Sequence, residues 1–68
     1  MQAVILMVFI DSDQKVILDG GMQLSIVREF VNQSGGNFRD DVRLRIYEDF
    51  ELHFINTETY LLVKLAYA

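Results

Sequence analysis

His53 is the one histidine of this 68-residue chain, and imidazole is the side chain best suited to moving a proton or holding a metal near neutral pH. Either role needs a partner. Alternation along residues 42–47 and 51–54 places His53 in mid-strand opposite Arg45, a cation that opposes both protonation and metal binding. His53 is therefore expected to be structural or surface-lying. Ser12, Ser25 and Ser34 fall in a turn, at a helix-cap position and before Gly35-Gly36, where backbone needs account for each hydroxyl. None has a base at the spacing a nucleophile requires. Asp11-Ser12-Asp13 starts like a calcium loop but lacks the central Gly and the distant bidentate Glu. Gly20-Gly21 and Gly35-Gly36 lack the Lys-Ser/Thr pair of a phosphate-binding loop and read as turn glycines. Asn32-Gln33-Ser34 matches a glycosylation triplet near a helix end without a secretory signal, and is taken as a chance match. With no cysteine, disulfides and thiolate metal sites are excluded. A non-enzymatic protein with no metal and no cofactor is expected.

Carboxylates outnumber the other charged groups. Ten Asp and Glu face six Lys and Arg, for a net charge of −4. That sign disfavours direct binding to nucleic acid or anionic membranes and suits a basic protein partner. Following the strands up and down sharpens this expectation. If the first strand runs up, its turn carries Asp11 and Asp13 to the top, Asp40 and Asp41 begin a later strand there, and Glu58 lies in a last turn at the same end. Asp11, Asp13, Asp40, Asp41 and Glu58 are thus expected to form one acidic, partner-binding end, standing in for the phosphates of a nucleic-acid strand. The competing account is that turns attract Asp and the charge only keeps a greasy chain soluble.

The elements that would hold these groups follow from hydrophobic spacing. The run from Ala3 to Ile10 is continuously apolar, which predicts a strand over residues 2–10 covered on both faces. No Lys or Arg precedes this run and acids follow it, so it is not read as a secretory segment, and it is too short to span a bilayer. A turn over residues 11–14 leads to a second strand at Lys15-Val16-Ile17-Leu18. Ile26, Val27, Phe30 and Val31 then fall at helical spacing, with Asp19 or Ser25 as N-cap and Gly35-Gly36 as the stop. Residues 37–41 are read as a connector. Val42, Leu44 and Ile46 alternate with Arg43, Arg45 and Tyr47 as a half-buried strand. A loop at Glu48-Asp49-Phe50 would pair Ile46 with Leu52, Leu44 with Phe54 and Tyr47 with Glu51. A second loop at Thr57-Glu58 would start a last strand, with Phe54 on Leu61, Leu52 on Val63 and Glu51 on Lys64.

The result is one α+β domain over residues 1–68 without internal repeats: a five-stranded, mostly antiparallel sheet in the order ββαβββ, with one helix on one face. That order resembles ubiquitin-like β-grasp proteins. A last hairpin, however, makes the final strand antiparallel where a β-grasp pairs it parallel with the first, and no family is assigned. One helix covers one sheet face, yet alternation puts Tyr47, Ile55, Tyr60, Leu62 and Ala66 on the other. An exposed apolar face of that kind predicts an interface, here a homodimer. The functional expectation is a cytoplasmic, oligomeric regulator or inhibitor of a protein with a basic surface, such as a DNA-binding protein, of the sort phages and mobile elements encode. The alternative is a structural or adaptor subunit using its apolar sheet face or edge.

Overall fold

The computed structural model describes residues 7–68. The part of the first apolar run before Met7 lies outside the described residues. The elements are β1 (Met7–Ile10), β2 (Lys15–Leu18), α1 (Gly21–Gln33), α2 (Phe38–Asp41), β3 (Val42–Ile46), β4 (Phe50–Phe54) and α3 (Thr57–Tyr67), with a single 3₁₀ turn at Asp11–Asp13 between β1 and β2. The class is α+β, and the four strands form an antiparallel sheet in the order β1-β2-β4-β3.

The largest departure from expectation is the last segment, which is the helix α3 and not a fifth strand. Asn56 decides its start: Oδ1 accepts hydrogen bonds from the backbone N–H groups of Glu58 and Thr59 at 3.0 and 3.3 Å, the arrangement of a helix N-cap. Leu61, Leu62, Lys64 and Ala66 are good helix formers. Thr59, Tyr60, Val63 and Tyr67 share the face turned to the core, with the first three buried. Leu61, Val63 and Leu65 fit a two-residue period equally well, and this is why the segment reads as a strand. Glu51 consequently does not meet Lys64. Residues 37–41, expected as a connector, include the turn of helix α2, because the Asn37 side chain accepts from Asp40 N–H and Asp41 Oδ2 accepts from Asn37 N–H at 2.9 Å.

The β3–β4 hairpin keeps the expected faces, but its loop lies one residue earlier and its pairing register is shifted by two. Its loop is Tyr47-Glu48-Asp49, and it pairs Leu44 with Leu52, Arg45 with Glu51 and Ile46 with Phe50. This register sets opposite charges across the ladder and brings Phe50 into the sheet. His53 therefore faces Arg43 and Lys15, not Arg45. At the front of α1 neither expected cap is used. Gly20 is the N-cap residue without a side-chain bond, and Gln23 Oε1 accepts from Asp19 N–H at 2.6 Å. The helix ends as expected at Gly35, whose φ of +90° only glycine adopts readily.

The core lies between one sheet face and α1 and α3, and Val16, Leu18, Val27, Leu52 and Val63 are fully buried there. Phe9 and Phe54 each meet Tyr60 edge to face, as Phe30 meets Tyr67. The other sheet face carries no helix among the described residues. Alternation places Val8, Ile10 and Ile17 on it beside Lys15, Glu51, His53, Arg43 and Arg45. Val8 is exposed, so β1 is not covered on both faces as expected.

Element order and pairing also reveal a repetition. A β-hairpin followed by a helix occurs twice, and the two units join through antiparallel β2 and β4 about a pseudo-two-fold axis. The correspondences Val16 with Leu52, Leu18 with Phe54, Gly20 with Asn56, Leu24 with Tyr60 and Val27 with Val63 all share one sequence offset. The first hairpin has one more residue, so Met7 and Phe9 answer to Val42 and Leu44. The residue types differ enough that no sequence repeat is visible.

Three substitutions test the helical ending and the core, and Asn56→Ala is the one that separates a terminal helix from a terminal strand. Asn56→Ala is expected to cost about 1 kcal/mol through the lost cap. Val63→Ala is expected to cost about 2 kcal/mol, and Val27→Ala about 2 kcal/mol as its counterpart. Urea denaturation followed by circular dichroism measures all three, and a neutral Asn56→Ala would count against the helix.

Candidate functional site

Four segments meet at the end of the sheet where β1 turns into β2, β3 begins and α3 starts. Gln14 joins three of them. Its backbone is left-handed at φ 49°, its N–H donates to Asp11 O, and its carbonyl accepts from Phe54 N–H at 2.9 Å. Its side-chain Nε2 donates to Phe54 O at 3.0 Å, and Oε1 accepts from Thr57 Oγ1 at 2.7 Å. Ile55 N–H donates to Asp41 O at 2.8 Å, which brings in the start of β3. Asp11, Asp13, Asp40, Asp41 and Glu58 all belong to these joined segments or border them.

The five acids are not equivalent. Asp11 is bound within the chain: Tyr60 Oη donates to its Oδ1 at 2.6 Å, and Lys64 Nζ reaches both oxygens at 2.8 and 2.7 Å. Asp41 is half-buried and accepts from Asn37 N–H, as described above. Asp13, Asp40 and Glu58 are exposed. Asp41 and Glu58 line one polar cleft of about 280 Å³, together with Asn37, Asn56 and Leu62 and with Ser34-Gly35-Gly36 as one wall. Two carboxylates beside an apolar Leu62 suit a lysine or arginine side chain, whose methylene stem packs on the leucine while its charge meets the acids.

The expected interface residues do not share a sheet face. Tyr60 is only 2% exposed and belongs to the core, because helical geometry turns it inward under β1 and β4. Tyr47 and Ile55 are exposed in loops, Ala66 is exposed on α3, and Leu62 is 39% exposed. An apolar surface does exist elsewhere. Leu61, Leu62 and Leu65 recur on the outer side of α3, with Leu61 55% and Leu65 85% exposed, and a groove of about 470 Å³ runs along Leu61, Lys64, Leu65 and Ala68.

His53 lies on the open sheet face in a cross-strand row with Lys15 and Arg43. Its Nε2 is 3.5 Å from Glu51 Oε1, and the same oxygen is 3.7 Å from Lys15 Nζ. Nε2 is buried and has no hydrogen-bond partner among the described residues. Sequence reasoning missed Gln14, Tyr60 and Lys64 as the residues that organise the acidic end. Tyr60 and Lys64 lie four apart, a helical spacing that was legible once the segment is taken as a helix. Comparison with known protein families, curated proteins and solved structures finds no match to this chain.

The Asp11–Tyr60–Lys64 cluster has a pH signature. Hydrogen bonds from Lys64 and then Tyr60 to the charged form hold the Asp11 carboxyl below its ordinary 3.8. As pH falls, the unfolded chain takes up this proton first, so the stability Asp11 contributes is present above its unfolded value and lost as pH falls through its folded one. Burial, and then the bond to Asp11, push the Tyr60 phenol up to about 12. Its contribution is complete below the unfolded value of 10.0 and lost as pH rises toward about 12. Phenolate absorbance should show one of the three tyrosines ionising last, and Tyr60→Phe should remove that late step. Asp11→Asn should lower it only in part, because burial is the larger cause.

Proposed function

We propose that this chain is a small non-enzymatic regulator that binds a basic surface of a partner protein through its acidic end. The observation that carries the reading is the cleft in which Asp41 and Glu58 stand beside Leu62, with Asp13 and Asp40 exposed on the segments that meet at this end of the sheet. A protein whose own ligand is a nucleic acid presents the lysines and arginines such an end requires, so partial mimicry of a phosphate strand is the specific form of the proposal. The absence of cysteine from the sequence suits a reducing compartment, in keeping with a cytoplasmic site of action.

The outer leucines of α3 favour a second reading, an adaptor or homodimer subunit. The apolar contact would then run through Leu61, Leu62 and Leu65 and not through the sheet. Salt separates the two readings, since charge-guided association weakens with ionic strength and apolar contact does not.

The test is a pull-down from host lysate with purified chain as bait, followed by association kinetics on the captured partner. Exposed ion pairs are each worth about 0–1 kcal/mol, so Asp13→Asn, Asp40→Asn and Glu58→Gln combined should slow association markedly while each alone barely registers. Raising salt from roughly 50 to 200 mM should mimic the triple variant. A partner that binds the triple variant unchanged, and loses affinity on Leu65→Glu, would transfer the proposal to the adaptor reading.

A further inference from the structure

β3 is an edge strand that pairs with β4 alone among the described residues. The 2.8 Å bond from Ile55 N–H to Asp41 O marks residues 41 and 55 as a hydrogen-bonded pair. By the alternation of an antiparallel ladder, Arg43–His53 and Arg45–Glu51 are hydrogen-bonded pairs too, and the backbone groups of Leu44 and Ile46 point away from β4. The side chains alternate in chemistry as well. Leu44 and Ile46 lie on the helix side of the sheet but are 40% and 63% exposed, beyond the cover of α1 and α3. Arg43 and Arg45 stand exposed on the open face. An arriving strand would find free N–H and C=O groups, an apolar margin on one side and two guanidinium groups on the other.

We propose that the β3 edge accepts an extended segment of a partner protein in which apolar residues alternate with Asp or Glu, added to the sheet as a further strand. Main-chain bonds to Leu44 and Ile46 supply affinity, and the alternation supplies specificity, with carboxylates opposite Arg43 and Arg45 and apolar side chains on Leu44 and Ile46. A second copy of the chain is disfavoured, because full antiparallel pairing of residues 42–46 with themselves puts Arg43 opposite Arg45 twice. The pseudo-symmetric edge, β1, carries Val8 and Ile10 toward the open face and no cation, so charge selects β3. A nucleic-acid strand would leave Leu44 and Ile46 unused, and the paired strands put no Phe, Tyr or Trp on the open face for bases to stack on, His53 being the one ring there. This surface is separate from the acidic end and does not depend on it.

The test titrates the isotope-labelled chain with a capped peptide, Thr-Glu-Val-Glu-Val-Glu-Thr, and with its lysine counterpart, Thr-Lys-Val-Lys-Val-Lys-Thr. The acidic peptide should shift the Leu44 and Ile46 amides and slow their hydrogen exchange, and the basic one should not. Arg43→Gln with Arg45→Gln should weaken binding about tenfold, a sum of two exposed pairs. Leu44→Pro should abolish binding yet fold, since the N–H it removes points outward. Asp41→Asn with Glu58→Gln should leave peptide binding unchanged, so that this proposal and the acidic-end reading fail separately. Equal binding of the basic peptide, or unmoved Leu44 and Ile46 amides, would overturn the proposal. So would a homodimer that Leu44→Pro dissociates, which makes a second copy the occupant, or a single-stranded oligonucleotide that binds at Arg43 and Arg45 without protecting Leu44 and Ile46.

Discussion

Gln14 ties together three parts of the chain, the first hairpin turn, the end of β4 and the start of α3. Its carbonyl accepts from Phe54, its amide group donates to Phe54 O and accepts from Thr57, and its backbone takes a left-handed turn that closes the first hairpin. The first bond lies beside the β2–β4 ladder, where Val16, Leu18, Leu52 and Phe54 build the floor of the core. The last ties the first turn of α3, whose start the Asn56 cap sets, to the first hairpin. A left-handed backbone at a residue other than glycine carries a steric cost, and three hydrogen bonds through one residue offset it. With the end of the sheet held this way, α3 can bring Tyr60 under the strands and Lys64 to Asp11.

Charge is sorted over the surface. Five carboxylates gather where the strands turn, while three of the six cations, Lys15, Arg43 and Arg45, lie on the open sheet face with Glu51 as the one carboxylate of the strand ladders there. Net charge conceals this division, and a reading from the sign of the total sees only an acidic protein. The acidic end is also less acidic than its composition implies. Lys64 neutralises Asp11, so the charge of this end rests on Asp13, Asp40, Asp41 and Glu58.

Sequence reasoning reached the α+β class, the first hairpin, α1 and the β3–β4 hairpin because each has a clear period or a clear stop, such as Gly35 with its positive φ. It assigned the faces of β3 and β4 correctly despite a register error, since a shift of two residues preserves parity. It failed at α3, where both periods fit and cross-strand pairing of Glu51 with Lys64 looked attractive. Asn56 was the legible signal, a capping side chain directly before the segment. That single misreading removed a helix from the core and placed Tyr60 on a surface. It left the position of Glu58 along the sheet unchanged, because a hairpin turn and a helix N-cap both return the chain to the same end of the sheet.

The repeated hairpin-and-helix plan has a consequence for how the chain can be divided. The connection over residues 34–37 leads from one unit to the other, and its glycine turn lies at the protein surface. Each half keeps its own local hairpin and helix, while the halves meet through the β2–β4 seam, the packing of α1 on α3 and the bonds from Gln14 and Asp11 to the second half. Cleavage there breaks no strand pair and exposes an apolar seam on both pieces. Fragments cut within this connection should therefore recognise each other and reassemble, making the molecule a natural subject for split-protein complementation.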